Sequence, residues 1–481
     1  METIIYFYQY IIFFYSIVIT LAYVSLAIIG YFNINHKKSI YTEIEDDLVN
    51  NYPEEAPGIS VVTPAYNEDL IIIDSAHSLL NLQYPNFEVI IVNDGSTDNT
   101  LETLIEEFDL KIVPFPYIDK VRCQPVRNIY KSTNPIYSNL TIVDKENGGT
   151  KADAMNAGLN IAKYDYFINT DIDGLLDPNT LAKMIVPVLD SDVPVIAVGA
   201  TLRMVNSCEV DNGRITRVRP PKRFIPAFQE TEYLRSYLVG KMGWSTLNTI
   251  PNVSGGFGLF DTNVVIGAGG YDPLSQAEDM DMTLRMIAFM RDSKKKYRIR
   301  QIADTCCWTE GPSTLNLLYR QRTRWGRGLL QIFIVHRHFL FNPKYGRMGL
   351  FLLPYSLFFD FLAPILTTVG FFMIIFLFLN NQINFDTFWL LMLFVYLIGV
   401  SMSAVAITAD LANKKLYKNY SEYGRLILFS LFEAVAYQPF NTIFYVIGYG
   451  QFLYNRDFEW KSMTRQGYIR NTDEDEDNDQ A

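Results

Sequence analysis

Cysteine and histidine are scarce in this chain, with four of each in 481 residues. Neither set has the spacing of a metal site. Cys123 and Cys208 stand alone, and the adjacent Cys306 and Cys307 are a poor start for a disulfide framework. All four read as reduced, small core residues. His36, His77, His336 and His338 form no metal motif. Basic charge is also short: 41 Lys and Arg face 52 Asp and Glu, giving a net charge of −11. That excludes nucleic acid as the main partner, because phosphate binding needs a basic face. Part of the acidity lies in the tail Asp473 to Asp479, which reads as a solvated, disordered end. No internal repeat and no P-loop spacing occur.

What the chain has is apolar length. Hydrophobic residues make up 49% and charged residues 19%, which strains a wholly soluble reading. Ile4 to Phe32 carries no charge and exceeds the ~20 residues that a spanning helix needs. It lacks a basic start and a small-residue cleavage site, so it reads as a span rather than a signal peptide. His36, Lys37 and Lys38 follow, and the positive-inside tendency puts the next domain in the cytosol. A second apolar run, Met348 to Leu379, contains Pro354, Asp360 and Pro364. Thr387 to Ala409 is a clean third span, and Lys414, Lys415, Lys418 and Arg425 mark a return to the inside. The fourth run, Leu426 to Leu453, is broken by Glu433, Gln438, Pro439 and Asn441, so a re-entrant or in-plane segment is expected. Asp360 and Glu433 either face a polar conduit or cap helices near the interface.

Between the first and second runs, strand and helix signals alternate from Gly58 to Asn342. Ile59 to Val62, Glu88 to Val92 and Tyr166 to Asn169 read as strands. Ile71 to Leu82 and Thr100 to Phe108 read as helices. The alternation predicts an α/β domain with a mostly parallel sheet, whose ligands sit at the carboxyl ends of the strands. Asp94, Asp171 and Asp173 fall just past strand ends, so one crevice can gather them.

Each candidate has a plain structural role as well as a chemical one. In an extended segment Asp171 and Asp173 aim the same way, and two close carboxylates suit Mg²⁺ or Mn²⁺ with phosphate oxygens. A loop without metal explains a lone Asp-x-Asp equally well. Asp94 before Gly95 can begin a turn, or accept hydrogen bonds from a base or ribose. Lys151, after Gly148-Gly149-Thr150 and before a helix, suits a diphosphate. Glu278-Asp279 opens a helix, where acidic residues are favoured, and Asp279 can also serve as a general base. Gln321-Arg322-Thr323-Arg324-Trp325 lies on the amphipathic stretch Leu315 to Phe341. Its arginines and Trp325 suit a membrane interface. Equally, Trp325 can carry a sugar ring while Arg324 or Gln321 meets phosphate oxygens.

Taken in order, these clusters resemble a processive family 2 glycosyltransferase, the group of cellulose, chitin, hyaluronan and poly-β-1,6-N-acetylglucosamine synthases. The motifs are Thr63-Pro64-Ala65-Tyr66-Asn67-Glu68, Asn93-Asp94-Gly95-Ser96, Lys151 to Asn156, Asp171-Ile172-Asp173, Ser254 to Gly258, Glu278-Asp279 and Gln321 to Trp325. Tyr319 to Gln331 and Trp460 to Arg465 are most similar to the poly-N-acetylglucosamine type. Ala277 and Thr150 depart from the usual pattern.

The resemblance implies a GT-A (Rossmann-like) cytosolic domain inserted between transmembrane helices of a multi-pass cell-membrane protein. The implied divisions are a first helix at 1–35, the transferase domain at 58–311 and interfacial helices at 312–347. A membrane region at 348–455 and an acidic tail at 456–481 complete them. It implies a UDP-sugar donor with Mg²⁺ or Mn²⁺, held by Thr63, Tyr66, Glu68, Asp94, Lys151, Asp171, Asp173, Gln321 and Arg324. Asp171 and Asp173 would take the metal. Asp279, with Glu278 beside it, would be the base, and Gly255, Gly256, Phe257 and Trp325 would face the acceptor. The expected partners are the UDP-sugar, a growing polysaccharide or lipid-linked acceptor, and membrane lipid. The competing expectations are a transferase adding one sugar to a lipid, and an inactive transporter or scaffold.

Overall fold

The computed structural model describes residues 2–46, 48, 53–211, 213–413 and 416–454. The acidic tail, Trp460 to Arg465, Lys414 and Lys415 lie outside the described residues, as do the side chains of His36, Lys37 and Lys38. The chain divides into two compact units. One holds Lys37–Lys222 and Asn252–Gly311; the other holds Met1–His36, Arg223–Pro251 and Pro312–Phe458.

The first unit is built on strands β1 (Ile59–Ala65), β2 (Phe87–Asn93), β3 (Leu110–Ile112), β4 (Val126–Ser132), β5 (Leu140–Lys145) and β6 (Tyr166–Thr170). The later strands are β7 (Leu175–Leu176), β8 (Val195–Met204), β9 (Glu209–Asp211), β10 (Arg214–Arg217), β11 (Phe257–Asp261) and β12 (Arg298–Thr309). Ten form one sheet in the order β3-β4-β5-β2-β1-β6-β11-β8-β12-β7, and β9 pairs with β10 alone. The block β5-β2-β1-β6 is parallel. β11 runs antiparallel to both β6 and β8, and β3, β4 and β7 are antiparallel too. The sheet is therefore mixed, not mostly parallel. Alternation of strand and helix in the sequence captured the central block. The antiparallel members are short or arrive after long excursions, so they leave no such signal.

Ile59, Val61, Val62 and Val89 to Val92 are fully buried, as unbroken apolar runs are in strands covered on both faces. The helix Lys151–Ile161 packs across β1, β2 and β5. The pairing of β1 with β6 ends at Val62↔Asn169, whereas β1 stays paired with β2 through Ala65↔Asn93. Pro64 has no amide hydrogen to donate. Beyond Val62, then, β1 parts from β6, at the place where the strand order reverses. Open α/β sheets bind ligands at such a switch point.

The second unit is helical. Tyr10–Phe32, Met348–Leu379 and Phe388–Asn413 are long and apolar enough to cross a membrane. Tyr420–Ala436 and Gln438–Tyr454 form a pair bent by 50°, with Pro439 just past the bend. This is the expected interruption of the fourth run. The helix Phe224–Leu234 continues through a wider π turn, Arg235–Lys241, into Met242–Thr246. The first helix crosses it closely, because Gly30 and Gly243 have no side chain: a Cβ on Gly243 would lie 2.7 Å from the Leu26 carbonyl.

Glu433 neither caps a helix nor faces a conduit. It is buried and bridged by Arg235, with Nη1 2.6 Å from Oε2, and Gln438 donates to it at 2.8 Å. Arg235 also donates to Ser403 at 2.5 Å. A carboxylate in an apolar bundle is costly unless paired in this way.

Candidate active site

The carboxyl ends of β1, β2, β5 and β6 supply the loops of the site. Thr63 is buried at the end of β1 and Tyr66 follows it, half-buried. Asn67 takes a left-handed conformation (φ 57°) that lets the chain turn back. Its amide donates to Ser96 Oγ at 3.0 Å, and the amide of Glu68 donates to Thr100 Oγ1 at 2.8 Å. The β1 and β2 loops are thus tied together. Asp98 completes the tie by accepting from the Asp69 amide and the Thr100 hydroxyl. Partial burial opposes ionisation of Asp98, and the Thr100 hydrogen bonds outweigh it, so its carboxyl titrates below the usual range.

Asp94 lies under these loops and is 6% exposed. Its Oδ1 receives the Lys145 ammonium at 2.5 Å and the Gly148 amide at 3.1 Å. Lys145 also reaches Asp153 Oδ2 at 2.6 Å and the Glu146 carbonyl at 2.5 Å. A fully buried lysine therefore meets three acceptors, one for each ammonium hydrogen. Sequence reasoning missed Lys145 and Asp153. The only signal was a lysine closing an apolar strand, a position normally read as solvated. Asp94 consequently fixes the 146–149 loop in addition to whatever it offers a nucleotide.

That loop leads into the helix Lys151–Ile161. Thr150 caps it, its hydroxyl receiving the Asp153 amide at 3.4 Å, which gives a structural reason for the departure from Gly-Gly-Lys. Gly149 (φ 71°) has nothing within 4 Å of where a Cβ would stand, so space lies open at this point beside the helix N-terminus. Lys151 forms an ion pair with Asp171 and donates to the Gly255 carbonyl at 2.6 Å.

Asp171 and Asp173 occupy a turn, not an extended segment: the Gly174 amide donates to the Asp171 carbonyl at 2.9 Å. The Asp171 side chain is 38% exposed and Asp173 is 8% exposed. Both flank Cys307, whose thiol is pushed well above its usual range by burial and then by these two carboxylates. Among the described residues no three or more His, Cys, Asp or Glu groups gather to hold an ion. Two carboxylates, one already holding a cationic group, still fit Mg²⁺ or Mn²⁺, since such ions commonly take one or two carboxylates plus phosphate oxygens.

Gly255 and Gly256 form the opposite wall. A Cβ on Gly256 would stand 3.2 Å from Asp171 Oδ2, and one on Gly255 would stand 3.1 Å from Glu278 Oε1. Phe257 differs from expectation: it begins β11 and is fully buried, so its ring backs the loop and offers no face to an acceptor. Asp279 sits in the first turn of the helix Glu278–Asp292. Its Oδ2 accepts from Asn252 Nδ2 at 2.5 Å and from the Gly255 amide at 3.1 Å, and its Oδ1 accepts from the Met280 amide at 2.8 Å. Lys151, Asp171, Gly255, Gly256, Glu278 and Asp279 thus form one connected cluster.

Gln321, Arg324 and Trp325 belong to the helical unit, on the helix Leu315–Val335. Gln321 Oε1 accepts from Gln229 at 3.2 Å. Buried Arg322 makes a two-pronged pair with Glu232 (2.8 and 2.6 Å) and donates to Tyr437 Oη at 2.7 Å. Its guanidinium lies 4.3 Å from the Trp325 ring centre. One face of Trp325 is therefore covered by Arg322, and a sugar can use only what remains.

Two family descriptions match the chain: glycosyl transferase family 2 over residues 60–119 and 124–243, and glycosyl transferase family group 2 over 222–402. This chain belongs to glycosyl transferase family 2 and is a glycosyltransferase. The first of these matches lies largely on the mixed sheet of the first unit. The chain is 26% identical over 309 residues to a poly-β-1,6-N-acetyl-D-glucosamine synthase of Staphylococcus epidermidis, covering 64% of this chain and 63% of that one. It is 27% identical over 310 residues to the enzyme of the same name from Staphylococcus aureus strain COL, covering 63% and 61%. The chain thus spans less than two thirds of the length of these curated relatives. A mannosyltransferase from Pyrobaculum calidifontis, solved with GDP-Man and Mn²⁺, is 16% identical with a TM-score of 0.48, covering 90% of this chain and 99% of that one.

Proposed function

We propose that this glycosyltransferase is a multi-pass membrane enzyme with its transferase domain, residues 58–311, in the cytosol. It uses a UDP-sugar, first of all UDP-N-acetylglucosamine and otherwise UDP-glucose, to extend a β-linked polysaccharide. The observation that carries the reading is the attachment of Gly255 to both Lys151 and Asp279. It supports a reading in which a phosphate-seeking cation and a candidate base serve one bound donor–acceptor pair.

In this reading Thr63, Tyr66, Glu68 and Asp94 take the nucleotide side. Lys151 and the helix N-terminus behind Gly149 hold the diphosphate. Asp171 and Asp173 hold Mg²⁺ or Mn²⁺, which when bound neutralises charge growing on the leaving UDP. Asp279 accepts the proton of an acceptor hydroxyl as that oxygen attacks the anomeric carbon, and the bond to UDP breaks. One displacement inverts an α-linked donor to a β-glycoside. Gln321, Arg324 and Trp325 serve phosphate and acceptor. The relatives' printed name favours N-acetylglucosamine as the sugar.

Purified full chain incubated with a panel of UDP-sugars and Mn²⁺, followed by digestion with linkage-specific hydrolases, tests this. A hydrolase-sensitive β-linked polymer supports the proposal. A single sugar on lipid replaces it with the lipid-transfer reading, and no UDP release from any donor removes it.

A further inference from the structure

Asn252 has no part in the roles assigned so far, yet it makes a very direct contact with the candidate base. Its Nδ2 donates to Asp279 Oδ2 at 2.5 Å. The neighbouring backbone holds this amide in place: the Val253 amide donates to Thr283 Oγ1 at 3.2 Å, and that hydroxyl donates to the Asp279 carbonyl at 2.7 Å. Three residues on, the Gly255 amide reaches the same Oδ2 at 3.1 Å. The stretch 252–255 is thereby laced onto the first two turns of the helix Glu278–Asp292 at three points.

A carboxylate oxygen has about two lone-pair sites. Those of Asp279 Oδ2 are both taken, by Asn252 and Gly255. Among the described residues Oδ1 accepts only from the Met280 amide, at 2.8 Å, and keeps one site. We infer that Asn252 is a positioning residue which saturates Oδ2 of Asp279 and so assigns Oδ1 as the atom that takes the acceptor proton. This deepens the reading of Asp279 as the base and rests on it. When the proton moves, it leaves the acceptor hydroxyl for Oδ1, the freed electron pair forms the new glycosidic bond, and the old bond's pair leaves with UDP. Asn252 neither gains nor loses a proton. It keeps the carboxylate from rotating, because two fixed donors hold Oδ2.

The other titratable groups about Asp279 are Glu278 on its own helix, Lys151 across Gly255, and Tyr271, whose phenol feels both carboxylates. None of them lies on the 252–255 stretch, so changing Asn252 changes the base without touching them. Asn252→Asp is nearly isosteric and places a second carboxylate against Oδ2.

The test is the pH dependence of kcat/KM, read as UDP release from the donor that the full wild-type chain turns over, with UDP binding measured in parallel. For Asn252→Asp the acid limb should move up by about one pH unit or more, as like charges in one site require. For Asn252→Leu, kcat should fall about tenfold or more with donor KM within about twofold of wild type. A wild-type acid limb in Asn252→Asp overturns the assignment, and so does an unchanged kcat in Asn252→Leu. Loss of UDP binding in Asn252→Asp would make the residue a fold determinant and also overturn it. Asp279→Asn separates the two levels: normal turnover there removes the base reading itself, whereas near-complete loss beside an unchanged Asn252→Asp profile removes the Asn252 role alone.

Discussion

Lys151 and Asp279 are joined through a single residue, for Gly255 gives its carbonyl to the lysine and its amide to the carboxylate. A displacement of this residue is felt on both sides at once. In Gly255→Ala the new methyl would stand 3.1 Å from Glu278 Oε1 and 3.6 Å from Asp279 Cβ, tight enough to move the Glu278 carboxylate beside the candidate base by a few tenths of an ångström. We expect kcat to fall about tenfold or more, since small misplacements of reacting groups are expensive. UDP affinity should stay within about threefold. Steady-state UDP release with calorimetric UDP binding checks both halves.

Lys145 is fully buried between Asp94 and Asp153. Lys145→Met leaves two buried carboxylates without their cation. Such a break costs about 3–5 kcal/mol, so thermal unfolding of the transferase domain should come markedly earlier. Adding Asp94→Asn and Asp153→Asn should recover part of the loss. A triple variant no more stable than Lys145→Met would show that the lysine acts by packing alone.

The donor side predicts a split between metal and diphosphate. Lys151→Met removes one charge-assisted contact, and UDP affinity should drop about tenfold or more. Asp171→Asn should instead raise the Mn²⁺ concentration needed for half-maximal activity, with a smaller effect on UDP binding at saturating metal. Titrating each variant with Mn²⁺ and with UDP separates the two effects.

Arg322 should be hard to replace. Its two-pronged pair with Glu232 and its bond to Tyr437 need a planar fork. Arg322→Lys should lower the melting temperature of the detergent-solubilised chain by several degrees. In a double-mutant cycle with Glu232→Gln the two losses should be less than additive, as for residues in direct contact. Additive losses would mean that the pair is not coupled.

Asp261 supplies a pH test. It caps the helix Thr262–Gly267 by accepting from the Val264 amide at 3.0 Å. Its carboxyl is nevertheless raised above the usual value, by burial first and then, against the help of the Val264 and Asn263 amides, by nearby Asp165. A raised carboxyl favours the protonated form in the fold, so its contribution is full below the unfolded value near 3.8 and is lost as pH rises through the folded one. Asp261→Asn keeps the cap and removes the charge. The variant should melt higher than wild type at pH 7, and the gap should close toward pH 3.5.

Much of this was legible in the sequence because the determining physics is local. The apolar runs of β1, β2 and β6, the glycine-rich entry to the helix at Lys151 and the acidic opening of the helix at Glu278 each announce themselves within a few residues. The three long apolar helices and the break near Pro439 were readable for the same reason. What was not legible depends on partners distant in the chain. Nothing near Lys145 says that two carboxylates will enclose it, and nothing near Asn252 says that residue 279 will lie 2.5 Å away. The turn at Asp171 follows from Gly174, and the burial of Phe257 from its place between β6 and β8. Arg322 reads as one basic residue among several until Glu232, 90 positions earlier, is brought against it.

The close crossing of Leu315–Val335 with Gln438–Tyr454 has a mechanical consequence. A Cβ on Gly326 would stand 2.7 Å from the Tyr445 carbonyl, Gly448 abuts the backbone at Thr323, and Gln451 accepts from Arg327 and donates to Tyr319 at 3.1 Å each. An amphipathic helix resting on lipid can ordinarily roll about its long axis. This one is splinted, backbone against backbone, to half of a kinked pair. Gln321, Arg324 and Trp325 therefore keep a fixed bearing relative to the helix Gln438–Tyr454.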